Sequence, residues 1–143
     1  MSSIKDIMNQ RVVAVRPETT LADALRVLTK HHVGGVPVVN EANALIGMIS
    51  ELALIDIVFD PATKGAPVSD YMTRDVKFVH PDDSLSRAAQ MFALYSFRRL
   101  PVVENGSLVG IVSRRDLMNH ALESSETLPE PLLELIPELA DLA

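Results

Sequence analysis

The sequence predicts an α/β chain built from two copies of one β-α-β-β-α unit. The copies are expected to pack about a pseudo-twofold axis, sheets facing each other and helices outside. Three observations predict this. A series of short motifs recurs at an offset of 64 residues, as Met8 returns in Met72 and Pro37 in Pro101. In both copies an apolar stripe at helical spacing follows a short extended segment. In both copies that helix is followed by two apolar runs separated by a turn.

Val12–Val15 and Val76–Val79 read as short extended segments, each closed by a proline two residues on, Pro17 and Pro81. Thr20 and Ser84 stand where a helix N-cap is needed, because a hydroxyl there accepts an orphan backbone N–H. Leu21, Ala24, Leu25 and Leu28 then share one helical face, and Leu85, Ala88, Ala89 and Phe92 repeat it. The runs Val36–Val39 and Leu100–Val103 predict strands. The Asn105-Gly106 pair predicts a tight hairpin, because both residues tolerate positive φ. Leu45–Ile49 and Leu108–Val112 predict the return strands. A second helix is expected from about Ser50 to Phe59 and from about Ser113 to Leu122. The offset falls to 63 after the turn, since Gly47 matches Gly110 and Ser50 matches Ser113. The first copy is assigned to 1–64, the second to 65–122, and an acidic, leucine-rich tail to 123–143.

Composition narrows the function. Of 143 residues none is Cys, so disulfides and thiolate metal sites are excluded. Aromatics make up 4%, too few for a base-stacking platform. Six of the 19 acidic residues lie in 123–143, which leaves 13 against 13 basic residues in the body. A neutral body argues against duplex nucleic acid. There is no signal-peptide core and no run of membrane-spanning length, so a cytoplasmic location is expected. No nucleophile-base or paired-carboxylate arrangement stands out, and the expectation is not an enzyme. His31-His32 ends a helix, where imidazole suits the dipole, and no metal site is assigned.

Two constellations could bind a ligand. Ser113-Arg114-Arg115-Asp116 starts a helix directly after a strand. A hydroxyl there can bond phosphate, and a carboxylate one turn on can accept from ribose hydroxyls. The same Ser-x-x-Asp pattern also reads as ordinary helix capping. Arg98-Arg99 precedes a buried strand, where forked donors can meet phosphate. Taken singly, the pair also reads as solvated surface charge.

Residues 4–122 resemble a tandem pair of CBS domains, a Bateman module. The resemblance is carried by Asp6-Ile7-Met8 and Asp70-Tyr71-Met72, by the helix entries after Pro17 and Pro81, and by the strand entries at Pro37 and Pro101. The Gly-x-x-Ser patterns at Gly47 and Gly110 complete it. The resemblance implies a regulatory sensor for AMP, ADP, ATP or S-adenosylmethionine, bound in the cleft between the copies, with no obligatory cofactor and usually no catalysis. It implies that Ser113 contacts phosphate, Asp116 holds ribose, and Arg98 and Arg99 meet phosphate. It implies that Met8, Arg11 and Val13 line the adenine, with Val33 and Gly34 closing the pocket.

The first copy departs from this pattern. Ser50 is kept, but Ala53 stands where Asp116 would, and Gly34 and Gly35 where the arginines would. One good site and one weak one are expected, the weak one with Ser50 and Lys77. The expected partners are an adenine-containing small molecule and a second copy in a homodimer. The competing reading is a ligand-independent interaction module that regulates a partner enzyme or transporter. The tail's leucines motivate it, and they are expected to dock as a short helix despite three prolines.

Overall fold

The computed structural model describes residues 2–55, 57 and 59–125. The expected tail helix falls on residues 126–143 and so lies outside the described residues. The element order is α1 (Leu21–Lys30), β1 (Gly35–Val39), β2 (Leu45–Ser50), α2 (Glu51–Leu54), α3 (Pro61–Lys64), α4 (Leu85–Leu94), β3 (Arg99–Glu104), β4 (Ser107–Ser113) and α5 (Arg114–Glu123). Short 3-10 turns at Ile4–Asp6 and Val68–Asp70 precede each copy's helix. The α/β class holds, with two two-stranded sheets, β1-β2 and β3-β4.

The chain forms two compact units that do not follow the order of the copies. The copy-one unit holds Val13–Val76 with Gly106–Leu108. Among the described residues, the copy-two unit holds 2–12, 77–105 and 109–125. Each copy's leading segment therefore serves the other copy's core. Ile4 is fully buried against Val79, Leu85 and Val102 in the copy-two unit. Its N–H donates to the carbonyl of Asp83 at 3.0 Å. In the copy-one unit Val68 is buried against Val15, Leu21 and Val38, and its N–H donates to the carbonyl of Thr19 at 2.7 Å.

The conserved spacing of the two motifs has a steric cause inside each unit. A Cβ on Gly110 would lie 2.7 Å from Met8 Sδ, and one on Gly47 would lie 2.6 Å from Met72 Sδ. Only glycine lets the methionine close onto the strand. Backbone bonds fix the approach. Asn9 and Ile111 exchange N–H···O bonds at 2.8 and 2.9 Å, and Met48 and Thr73 do so at 2.9 and 2.8 Å.

The helix caps form as expected. Thr20 Oγ1 accepts from the Asp23 N–H and Ser84 Oγ from the Arg87 N–H, both at 3.2 Å. Asn105 and Gly106 both take positive φ, 52° and 82°, and turn the second hairpin tightly. The first hairpin carries one more residue and a register shift between Val38 and Val39, which accounts for the offset of 63.

Two expectations are corrected. The extended segments at 12–15 and 76–79 are not strands: each pairs through one residue, Val15 with Val38 and Val79 with Val102, both parallel. A proline two residues on removes the donor that would extend the ladder. The first copy's second helix does not reach Phe59 but ends at Leu54. β-branched Ile55 and Ile57 follow, and Asp60-Pro61 starts a new turn.

Candidate functional site

The candidate site lies where β4 runs into α5, inside the copy-two unit. Ser113 is the N-cap. Its Oγ accepts from the Asp116 N–H at 3.0 Å, and Asp116 Oδ2 accepts from the Ser113 N–H at 2.8 Å. Capping is thus realised, and it does not exclude binding. The second carboxylate oxygen of Asp116 takes no part in the box, and both residues are half-buried. The box holds hydroxyl and carboxylate in one fixed geometry, which is what preorganised recognition needs.

The arginine pair joins this corner through the backbone. The Arg114 N–H donates to the carbonyl of Arg98 at 3.0 Å. Arg99 opens β3, the partner of β4. Met8 packs against Gly110, and Asn9 pairs with Ile111, two residues before the cap. Arg11 follows on the same segment, exposed, its N–H donating to Asn9 Oδ1 at 2.9 Å. The fold thus gathers Met8, Arg11, Arg98, Arg99, Ser113 and Asp116 into one unit. Val13, Val33 and Gly34 belong to the copy-one unit.

The equivalent corner of the copy-one unit is built differently. Ser50 Oγ caps α2 with a longer bond, 3.4 Å to the Ala53 N–H, and nothing returns to it. The Glu51 N–H donates to the carbonyl of Gly34 at 2.8 Å, matching the Arg114–Arg98 bond. The Glu51 carboxylate lies over Gly34, where a Cβ would sit 3.1 Å from Oε1. Lys77 belongs to the other unit from Ser50, and its ammonium lies 5.9 Å from the Tyr95 ring centroid.

Two features escaped the sequence reading. Arg114 and Arg115 sit between Ser113 and Asp116, yet they had no role beyond spelling the motif. The signal was available in the alignment of the copies, where Glu51 and Leu52 replace them. The second feature is a group formed by His80, Asp82 and Glu104, whose ligand atoms lie within 4.8 Å of one another. Lys5 Nζ already bonds Asp82 Oδ1 there at 3.0 Å. That bond, and then the ammonium charge, hold the Asp82 carboxyl below the ordinary carboxylate range; the same bond raises Lys5. No sequence spacing brings residues 5, 80 and 104 together.

These features define a duplicated α/β module with a capped strand-to-helix junction in each unit. A family model for the CBS domain matches the chain twice, over residues 4–60 and 68–123, and the chain belongs to that family as a tandem pair. The protein YhcV of Bacillus subtilis, a CBS domain-containing protein, is 38% identical over 121 residues, covering 82% of this chain and 84% of that protein. The protein MJ1225 of Methanocaldococcus jannaschii is 34% identical over 115 residues, covering 80% of this chain but only 41% of the relative. A crystal structure of CBSX2 in complex with AMP matches with a TM-score of 0.79 and 32% identity, over 86% of this chain and 98% of that one. Among the described residues, no helix is long and apolar enough to cross a membrane.

Proposed function

We propose that the chain is a regulatory, non-catalytic module that binds an adenine nucleotide at the Ser113–Asp116 corner. One observation carries this reading: a preorganised hydroxyl and carboxylate share a corner with Arg98, in a fold whose relative CBSX2 was solved with AMP. In this reading Ser113 bonds a phosphate oxygen, and Asp116 accepts from the ribose through its unused oxygen. Arg98 and Arg99 supply forked donors, and Met8 gives apolar cover to the base. Arg11 continues that lining. Ser50 marks a weaker second position in the copy-one unit.

The chain works as a cytoplasmic homodimer, and ligand shifts a population between two arrangements. Met118 and Leu122, one turn apart on α5 and 58% and 85% exposed, favour a contact with a second copy. Sedimentation of the purified chain measures that directly: a monomer at all concentrations contradicts it. The ligand reading is tested by heating the purified protein and measuring adenine absorbance in the supernatant, followed by calorimetry with AMP, ADP and ATP. Binding that weakens at least about tenfold in Asp116→Asn is expected, since the variant keeps a cap acceptor but loses the charge. The absence of any adenine binding overturns the reading.

A further inference from the structure

Arg114 and Arg115 occupy the first two positions of α5, the positive end of the helix dipole. Cations there are destabilising, and natural helices favour acidic residues at this end. Both helices carry one acidic residue in this turn, Asp116 in α5 and Glu51 in α2, but only α5 sets two cations beside it. A broken local rule without a compensating contact is expected at functional positions. No compensating contact exists among the described residues: none of Arg98, Arg99, Arg114 and Arg115 has a carboxylate within ion-pair distance. Arg98 and Arg114 are linked through one backbone bond, so their chains leave neighbouring points. Four arginines are therefore carried on backbone positions that meet at one corner, with Asp116 on the same helix turn. The copy-one corner presents Gly34, Gly35, Glu51 and Leu52.

Resting on the nucleotide reading above, we infer that this arginine set selects the length of the phosphate chain. Arg98 and Arg99 together with the Ser113 hydroxyl are sufficient for a nucleoside monophosphate, whose phosphate carries about two negative charges near neutral pH. Four cations exceed that need, and the excess is matched by a di- or triphosphate. The preferred ligand is a nucleoside polyphosphate, ADP or ATP. A cationic adenosyl sulfonium such as S-adenosylmethionine is disfavoured by like charge.

The test is calorimetry on the full chain with AMP, ADP, ATP and S-adenosylmethionine, at low and moderate salt, in the native chain and in Arg114→Gln/Arg115→Gln. Glutamine keeps helix propensity and removes only charge. The native chain is expected to bind ATP at least about tenfold more tightly than AMP, which is about 1.4 kcal/mol. That margin should shrink with added salt, because exposed charges are screened. In the double variant ATP should lose about tenfold and AMP less than about threefold, closing the gap. Thermal melts of the ligand-free variant keep the result interpretable: it should melt no lower than the native chain, because the removed charges oppose the dipole. Equal or tighter binding of AMP or S-adenosylmethionine by the native chain overturns the selection while leaving the nucleotide reading intact. So does a double variant with an unchanged ATP-to-AMP ratio. A chain that binds no adenine compound at all overturns the reading beneath it.

Discussion

The two strand-to-helix corners begin from the same blueprint and end with opposite charge. In the copy-two unit, Ser113 and Asp116 close a capping box and the 10-residue helix α5 follows. In the copy-one unit, Ser50 caps alone and α2 stops after four residues. Arg98, Arg99 and Arg114 stand opposite Gly34, Gly35 and Glu51. The cores behind these corners have not diverged in kind: Ile4, Val79, Leu85 and Val102 in one unit are matched by Val68, Val15, Leu21 and Val38 in the other. Packing constrains the core, because each buried side chain meets many others. A solvent-facing corner has no such constraint, so after duplication it can specialise while its twin relaxes.

The largest effect expected concerns what the corners have in common, the exchanged leading segments. Ile4→Ala should cost about 2–5 kcal/mol in urea unfolding, because a fully buried side chain is lost from a core distant in sequence. A cost within about 0.5 kcal/mol, the range of an ordinary surface change, would show that residues 1–12 do not complete the copy-two unit. Next in size is Asp116→Ala. It should weaken ligand binding at least about tenfold and also remove a cap acceptor worth about 1 kcal/mol, whereas Ala53→Ser, a change at the twin position, should leave ligand binding in place. Stability and affinity falling together in Asp116→Ala, with only affinity falling in Asp116→Asn, would separate the two roles of that carboxylate.

A smaller effect has the opposite sign. Arg114→Glu makes the copy-two helix start like its twin, and it should raise the melting temperature of the ligand-free chain. The gain is up to about 1 kcal/mol for replacing a cation by an anion at the dipole's positive end. Nucleotide binding should fall in the same variant. A lowered melting temperature would mean that Arg114 is held by contacts other than a ligand. The smallest effect is at the exposed Lys5–Asp82 pair. Asp82's folded-state pKa is depressed, so its contribution is present above the ordinary carboxylate value and is lost as pH falls through the lower folded value. Lys5 is raised, so its contribution is lost as pH rises through a value above 10.5. An NMR titration should place Asp82 below 3.8 and return it toward that value in Lys5→Gln; no change on removing the lysine would rule out the pairing.

Much of this was legible in the chain. Caps at Thr20, Ser84 and Ser113, the Asn105-Gly106 turn and the apolar stripes are local signals, and the structure realises each of them. The exchange of leading segments was not legible, because Asp6-Ile7-Met8 carries no mark of which copy it serves. The partner is revealed by the Asn9–Ile111 bonds and by the clash that a Cβ on Gly110 would make with Met8. The early end of α2 was half-legible. Ala53 marks a lost ribose acceptor, but the helix stop lies further on, in β-branched Ile55 and Ile57 and the Asp60-Pro61 turn. Arg114 and Arg115 were in plain view, but their meaning depends on the helix dipole and on Glu51 in the other corner.

The central claim is that duplication left one nucleotide-binding corner, not two. Calorimetric titration of the native chain with ATP, alongside Asp116→Asn and Ser50→Ala, tests it most directly. One tight equivalent per chain is expected, lost in Asp116→Asn and retained in Ser50→Ala. Two equivalents of equal affinity, or a tight equivalent that survives Asp116→Asn and disappears in Ser50→Ala, would contradict it.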